Sequence, residues 1–553
     1  MYSSLLSFLL SFVMLLTSFF PLAEAFFQKS KTVNISVDSS VTGEIIPNIV
    51  SNSNVWYMGT QFYNPTADEE VMEFTEYIQL MQATGGTAER DLFKDPYDRT
   101  TFTDYDFTKL IENCKGILKL GAKPHLKLGS VPIKMTSGYK LGGFDMNVYP
   151  PDDYNVYYDY IKAVITALVQ EFGKDEVLSW RFGCMTEYEN SDWFMAKSGL
   201  PKDSAVEFCK LYDYTVQALT DVLGKDVFVG AHSMTVTEGL WDEGIFINHV
   251  ANGINYANGE KGTLIRFLST SFYDSKPGQF TSGYTLPECV KYLKSTAEKA
   301  GLKGLIYGVD EGRILTGNSK GALDDQLNSR TVGFTWQAAY DARIFKQGID
   351  SGLDYFSNWY YLTGGLLNGY PTISYHVARN IYDFTGSCKI ETKVDKGAFA
   401  GKGEVDCLSS FDKQNGKLRL MIYNFKNDVD YSDSMDLSFT LNIPQFAGHR
   451  VIVTEKVVGD NCNFFDEWQR DRIKYNIDDS CFAWSPDDPC IDTVTTLSSN
   501  TAREIYFSTL RDNYIEYSKL IPNTYEEMCY KDGSIKFNKT IEASNVIFLE
   551  LSV

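Results

Sequence analysis

The stretch "YNVYYDYIKAVITALVQEFGKDEVLSWRFG", residues 154–183, places a helical pattern directly before a strand and decides the fold. Its apolar residues recur on one helix face, at Tyr157, Ile161, Val164, Ile165 and Leu168. Gly173 ends this pattern, as a left-handed C-terminal cap requires. The apolar run "VLSWRFG" then reads as a short buried strand. Helices that alternate with buried strands are the building units of parallel α/β sheets.

The same alternation recurs from about residue 50 to residue 384. The strand candidates are "VWYMGTQF" (55–62), "GGTAERD" (85–91), "KPHLKLG" (123–129), "VLSWRFG" (177–183), "VFVGAHS" (227–233), "IRFLSTSFYD" (265–274), "GLIYGVDE" (304–311) and "DYFSNWYY" (354–361). Eight such units predict an α/β fold, a closed parallel (β/α)₈ TIM barrel over residues 50–384. An open doubly wound sheet is the alternative, but no Gly-x-Gly-x-x-Gly follows the first strand.

The pattern changes after residue 385. Runs such as "GEVDCLSSFDKQNGKLRLMIYNF" (403–425) and "HRVIVTEKVV" (449–458) alternate apolar and polar residues and are broken by turn signals. They predict a C-terminal β-sandwich over residues 385–553, interrupted by a helical insertion at 498–521. The early strand "KTVNISVD", within residues 26–49, is predicted to pack on this sandwich.

The N-terminus indicates secretion. Residues 1–25 form an apolar run that ends in Ala-Glu-Ala, the pattern of a cleaved signal peptide. No Lys or Arg precedes the apolar run, so a retained anchor is the alternative. No later segment has the ~20 apolar residues needed to span a bilayer. We therefore expect a protein that is extracellular or in the secretory lumen, with no membrane contact after cleavage.

A secreted chain can carry glycans and disulfides. The sequons at Asn34 and Asn538 are candidate glycosylation sites. A bridge or two is expected among four late cysteines: Cys462, Cys481, Cys490 and Cys529. Three earlier ones are expected to be plain buried thiols: Cys114, Cys184 and Cys209. Neither Cys-x-x-Cys nor His-x-x-x-His occurs, so neither a metal nor another cofactor is expected.

The composition restricts the partner. The 553 residues include 51 Lys plus Arg against 72 Asp plus Glu, a formal net charge of -21. This balance argues against nucleic acid, whose phosphates need a basic surface. The 35 Tyr, 36 Phe and 8 Trp suit sugar rings or apolar surfaces, and they also suit a large core. The oligomeric state is left open.

Polar residues stand at the C-terminal ends of most predicted barrel strands, where such barrels carry their chemistry. They are Arg90, Asp91, His125, Lys127, Thr186, Glu187, His232, Tyr273, Asp274, Asp310, Glu311, Asn358 and Trp359. Two glutamates on opposite strands suit glycoside hydrolysis, which needs one carboxylic acid and one carboxylate. Glu189 competes with Glu187, and Asp310 competes with Glu311. Because strand residues alternate sides, only one of the last pair is expected to face the mouth.

Several segments carry a family resemblance: 104–132, "FGKDEVLSWRFGCMTEYEN" (172–190), "FLSTSFYD" (267–274), "GLIYGVDEGR" (304–313) and "VVGDNCNFFDEW" (457–468). Over nearly its whole length the chain resembles glycoside hydrolase family 39, retaining (β/α)₈ enzymes that include β-xylosidases and α-L-iduronidases. The resemblance implies that Glu187 is the acid/base and Glu311 the nucleophile. It also implies that Tyr273 lies beside Glu311.

The chain departs from the family pattern at three positions. Thr186 replaces an Asn that contacts the sugar, Tyr188 replaces a Pro, and Ser271 replaces a His. Thr186 is expected to take over the contact of that Asn. Further substrate-binding candidates, each with a structural alternative, are His125, His232, Trp359 and Arg90.

These features predict a secreted retaining glycosidase with β-xylosidase-like exo action on a glycan. An α-L-iduronidase-like activity is one alternative, in which Arg90, Lys127 or Arg313 would meet a uronate carboxylate. A carbohydrate-binding protein without catalysis is the other, because of the replacements at residues 186 and 188.

Overall fold

The computed structural model describes residues 32–55, 73–234, 239–273, 284–313, 335–359, 371–395, 403–428, 430–476 and 500–553. The predicted signal segment, Asp274, Cys481 and Cys490 lie outside these ranges. None of the helices in these ranges combines the length and the apolar character that a membrane span requires.

Eight parallel strands close into a barrel, which follows an N-terminal strand β1 (Thr32–Ile45). The barrel strands are β2 (Asn52–Val55), β3 (Tyr77–Leu80), β4 (Lys123–Leu128), β5 (Arg181–Cys184), β6 (Phe228–Ser233), β7 (Phe267–Tyr273), β8 (Ile306–Arg313) and β9 (Tyr355–Trp359). Each pairs with its neighbour in chain order, and β9 closes on β2. The predicted closed parallel barrel is therefore confirmed, and the open sheet is excluded.

Helices occupy most of the connections. They are α1 (Thr108–Lys119), α2 (Tyr154–Phe172), α3 (Lys174–Leu178), α4 (Pro201–Leu223), α5 (Gly244–Asn252), α6 (Leu286–Ala300), α7 (Trp336–Ser351) and α8 (Ile373–Tyr382). The apolar face predicted for α2, including Tyr157 and Ile161, is fully buried. Gly173 and Gly301 follow their helices with positive φ, the backbone conformation that only glycine adopts without strain.

The second barrel strand differs from its prediction. β3 is Tyr77–Leu80, whereas "GGTAERD" (85–91) forms a turn in which the amides of Arg90 and Asp91 both donate to Thr87 O. Gly85 and Gly86 have φ of 89° and 97°, which a regular strand does not tolerate. The first strand begins at Asn52, and residues 56–62 of its predicted range lie outside the described part.

A nine-stranded mixed sheet contains the C-terminal strands. They are β10 (Cys388–Val394), β11 (Glu404–Asp412), β12 (Lys417–Phe425), β13 (Met435–Asn442), β14 (Arg450–Val458), β15 (Asn523–Met528), β16 (Ser534–Ile541) and β17 (Val546–Ser552). β1 joins them, antiparallel to β10 and parallel to β13. α9 (Phe465–Tyr475) follows β14 and lies before the predicted insertion at 498–521, which holds α10 (Asn500–Ile505), a π-helical turn (Tyr506–Leu510) and α11 (Arg511–Tyr517).

The strands form one continuous sheet, ordered β15-β14-β17-β12-β11-β10-β1-β13-β16, whereas a sandwich consists of two sheets. Its two edges approach each other, since Lys539 on β16 lies 4.3 Å from the ring centre of Tyr525 on β15. Lys539 also pairs with Glu455 on β14 at 2.9 Å. The sheet is thus rolled around a core that contains Val33, Leu437 and Val453.

A second apolar cluster joins the sheet to the barrel. Trp336 and Tyr340 on α7 pack with Phe425 on β12, and Trp336 Nε1 donates to Lys426 O at 3.0 Å. Cys462 belongs to this cluster, while Cys529 lies in the core of the sheet. Both are free thiols, so the described members of the predicted cysteine cluster form no bridge with each other. The buried thiols predicted at three earlier positions are confirmed: Cys114, Cys184 and Cys209.

Candidate active site

The chain turns sharply at the C-terminal end of β5. Met185 and Glu187 have φ of 62° and 42°, left-handed values that cost an L-residue roughly 1–2 kcal/mol each. The turn is held by Met185 N, which donates to Leu128 O at 2.6 Å. Tyr188 leaves the barrel mouth and stacks on Phe208 with ring centres 4.1 Å apart. The strained turn therefore separates Thr186 and Glu187 from a Tyr188 that packs as core.

Glu187 is buried, with 7% of its surface exposed, and hydrogen bonds hold both of its oxygens. Trp193 Nε1 donates to Oε2 at 2.7 Å, and Ser271 Oγ lies 2.7 Å from Oε1. Trp193 returns to Glu187 through a turn in which Asn190 N donates to Glu187 O and Trp193 N donates to Asn190 O. The sequence reasoning missed Trp193, although it follows Glu187 by only six residues.

A β-bulge shapes the end of β8. Thr270 pairs with Val309 and Ser271 pairs with Glu311, so Asp310 is an extra residue on its strand. The bulge directs both adjacent carboxylates to the inside of the barrel, at different depths. The carbonyl of Asp310 also points inward, where it accepts from Asn54 Nδ2 (2.7 Å) and Gln79 Nε2 (3.1 Å). Only Glu311 reaches the mouth, as expected, but a bulge rather than strict alternation of strand residues separates it from Asp310.

Beneath the mouth, Asp310 belongs to a buried ion pair with Lys127, which we call the barrel floor. Asp310 also accepts from Ser269 Oγ at 2.6 Å and Tyr355 OH at 2.7 Å. Burial alone would raise the pKa of Asp310, but the charge and the hydrogen bond of Lys127, with contributions from His232 and His125, together outweigh burial and hold that pKa well below its usual range. Gly183 leaves room for Lys127, since a Cβ there would lie 2.5 Å from Lys127 Cδ.

Glu311 lies at the mouth and is 4% exposed. Thr186 Oγ1 donates to its Oε1 at 2.6 Å, and Tyr273 OH donates to its Oε2 at 3.1 Å. Two hydroxyl groups from two other strand ends thus stabilise the ionised form of this carboxylate.

His232 connects the two halves of the site. Its Nδ1 lies 3.0 Å from Thr186 Oγ1, and its Nε2 lies 3.0 Å from Ser271 Oγ. Burial, together with the positive charge of Lys127, lowers the pKa of His232 to about 3. The structure therefore brings together five of the predicted site residues: Glu187, Glu311, Thr186, Tyr273 and His232.

Two other candidates lie elsewhere. His125 is fully buried in the barrel between Phe267 and Tyr355, with ring centres 5.5 and 6.5 Å away, so its position does not support a substrate contact. Arg90 follows β3 by ten residues and donates to Gln82 Oε1 at 2.8 Å. Its expected support of the nucleophile stays a prediction. The side chain of Trp359 lies outside the described part, so its role as a sugar platform also stays a prediction.

Glu189, the rival of Glu187, is fully buried and accepts from Met234 N at 2.5 Å. Burial and the nearby Glu243 raise its pKa well above the usual range. Within the described ranges, no group of three or more His, Cys, Asp or Glu side chains is arranged to hold a metal ion.

The arrangement defines a class of protein: a parallel barrel whose mouth holds two glutamates, each supplied with hydrogen-bond donors, on β8 and just after β5. Such a pair can work as acid and nucleophile at a glycosidic bond. The sequence model of glycosyl hydrolases family 39 matches residues 92–400, and the chain belongs to that family.

One curated relative and two solved structures illustrate what the chain is similar to. A β-xylosidase of Geobacillus stearothermophilus is 25% identical over 274 residues, which is 46% of this chain and 48% of that protein. The chain thus matches about half the length of this curated relative. A family 39 enzyme of Xanthomonas axonopodis pv. citri has a similar fold, with a TM-score of 0.64, 14% identity, and 94% of this chain and 97% of that chain covered. A monomeric β-xylosidase of Caulobacter crescentus CB15 aligns with a TM-score of 0.61, 14% identity, and 94% and 99% covered.

Proposed function

We propose that this protein is a retaining glycosidase, a (β/α)₈ barrel with an accessory rolled β-sheet, which cleaves O-glycosidic bonds by double displacement. Glu187 is the acid and then the base, and Glu311 is the nucleophile. The observation that carries the proposal is the hydrogen-bonded constellation joining these two carboxylates across the barrel mouth. Family membership supports the same reaction class.

The contacts suit the two roles. Thr186 and Tyr273 donate to Glu311, which favours the ionised form that must attack the anomeric carbon. In the first half of the reaction Glu187 gives its proton to the departing oxygen while Glu311 forms the glycosyl-enzyme bond. In the second half Glu187 takes a proton from water, whose oxygen displaces Glu311 from the sugar.

A β-xyloside is the substrate that we favour, since the curated relative with the matching segment is a β-xylosidase. A uronate, as in an iduronide, would need a free cation at the mouth. Lys127 is paired with Asp310, and Arg313 lies 3.2 Å from Asp341 with both side chains buried. Both of these cations therefore already form ion pairs within the protein.

The proposed setting is extracellular or the secretory lumen. The apolar N-terminal run supports it, and so do the two sequons. Asn34 on β1 and Asn538 on β16 are both exposed, as a glycan acceptor must be.

The test is hydrolysis of aryl xyloside, arabinoside, glucoside, galactoside, fucoside and iduronide by the wild type and by Glu311→Ala. We expect turnover of the xyloside, lost at least about a thousandfold in the variant and partly restored by azide. Glu189→Gln is the matched control, because Glu189 lies outside the constellation and should be dispensable. Sugar binding without turnover of any glycoside would favour the binding-protein alternative.

A further inference from the structure

Four short contacts run in one unbroken line between the two glutamates. Glu187 Oε1 lies 2.7 Å from Ser271 Oγ, which lies 3.0 Å from His232 Nε2. His232 Nδ1 lies 3.0 Å from Thr186 Oγ1, which lies 2.6 Å from Glu311 Oε1. All five side chains are at least nine-tenths buried. Each contact needs one hydrogen atom, because lone pairs facing each other in a dry site would be costly.

The hydrogen atoms can be counted. Ser271 and Thr186 carry one each on their hydroxyls, and a neutral imidazole carries one. Four contacts therefore have three hydrogens when both glutamates are ionised. The fourth must lie either on a doubly protonated His232 or on one of the two carboxyl groups.

The surroundings of His232 disfavour the imidazolium. The ring is fully buried, and burial with the charge of Lys127 lowers its pKa to about 3, although Asp310 acts in the opposite direction. The titratable groups around it are Lys127 and His125 on β4, Asp310 and Glu311 on β8, and Glu187 through Ser271. At neutral pH the fourth hydrogen therefore belongs to a glutamate.

The tautomer of His232 decides which of the two glutamates carries the fourth hydrogen. Nδ1 lies 3.9 Å from Oδ2 of Asp310, whose pKa is well below its usual range, so this anionic oxygen favours the N–H on this side of the ring. Nε2 then accepts from Ser271, whose oxygen must accept from a protonated Glu187. On the other side, Nδ1–H donates to Thr186, and Thr186 donates to Glu311.

We propose that Ser271, His232 and Thr186 form a one-way hydrogen-bond chain that holds one proton on Glu187 and keeps Glu311 ionised. The proposal rests on the function proposed above, and it makes these three side chains positioning residues. Ser271 and Thr186 stand at two of the three positions where the sequence departs from the family pattern. The proton given to the leaving group in the first half returns from water in the second, which restores the count.

The first test measures the ring of His232 directly. In ¹⁵N-histidine-labelled wild type, the His232 signals are identified by their loss in His232→Gln. We expect a neutral ring with hydrogen on Nδ1 and none on Nε2 between pH 5 and 7. A doubly protonated ring, or hydrogen on Nε2, would overturn the proposal. The measurement needs no turnover, so the expected tautomer in a protein without glycosidase activity would refute only the function.

The second test is the pH dependence of kcat/KM in Ser271→Ala. A hydrogen bond donated by the neutral carboxyl raises the pKa of an acid, so its loss should move the basic limb down by about one pH unit. If Ser271 instead donates to an ionised Glu187, the limb moves up, which contradicts the chain. Ser233→Ala is the matched control, since this buried hydroxyl beside His232 has no hydrogen-bond partner among the described residues. Its basic limb should not move.

Discussion

Lys127→Met is the sharpest perturbation of the barrel floor. Methionine keeps the length of the side chain and removes its charge, while Asp310 stays in place with Ser269 and Tyr355 as donors. The side chains of Lys127 and Asp310 are 1% and 0% exposed, so the pair has no access to solvent. Removing one partner of such a buried pair costs about 3–5 kcal/mol of unfolding free energy, because it leaves an uncompensated charge.

The unfolding free energy lost in Lys127→Met should depend on pH in a definite direction. In the wild type Lys127 lowers the pKa of Asp310 in the folded protein. The ionised Asp310 therefore contributes its full stabilisation of the fold above the unfolded-state pKa of about 3.9, and this contribution is lost only below that pH. Without Lys127, burial raises the pKa of Asp310, and stability falls as the pH rises above about 4. The deficit of the variant should therefore grow between pH 4.5 and pH 7.

The assay is urea unfolding at these two pH values, followed by tryptophan fluorescence. Lys123→Met is the control, because Lys123 lies on the same strand and its bridge to Glu176 is partly exposed, at 37% and 31%. That surface bridge should contribute less than about 1 kcal/mol. Equal losses in the two variants, or a Lys127→Met deficit that shrinks with rising pH, would refute the reasoning.

Substitutions at three further positions test the mouth and the core beside it. Thr186→Val should lower kcat/KM by roughly 10–100-fold, since a hydrogen bond to a charged group contributes about 1.5–3 kcal/mol. Thr186→Ser is the control and should keep most of the activity. Equal losses in the two variants would contradict the role of the hydroxyl group. Tyr273→Phe removes the longer donor to Glu311 and should cost no more than about tenfold in the same aryl glycoside assay. Tyr188→Ala should destabilise the barrel by about 3–5 kcal/mol in urea unfolding; a loss below 1 kcal/mol would contradict its role as core.

The helix and strand alternation is readable from the sequence because its signal is local. The spacing of Tyr157 and Ile161 alone identifies the buried face of α2. Glu187 follows strand β5, and Glu311 lies near the C-terminal end of β8. β3 was not predicted because its four residues, "YIQL", are too few to show a recognisable strand pattern.

How deep in the barrel a strand residue lies cannot be predicted from local sequence in this way. His125 and His232 both occur in barrel strands, but only His232 reaches the mouth. The register explains the difference: His125 pairs with Arg181, which pairs with Phe228, and Phe228 lies four residues before His232. That relation depends on which residues of three separate strands stand side by side, and no stretch of sequence records it.

The bulge at Asp310 lets two adjacent carboxylates serve different purposes. In a regular strand one of them would face the helices, and either the mouth would lose Glu311 or Lys127 would lose its counter-ion. An unpaired Lys127 would be costly in a site with no solvent access. With the extra residue, Asp310 stays ionised and neutralises the floor, while Glu311 stands one step higher against two hydroxyl donors. The bulge therefore links the stability of the barrel to the geometry of its candidate nucleophile.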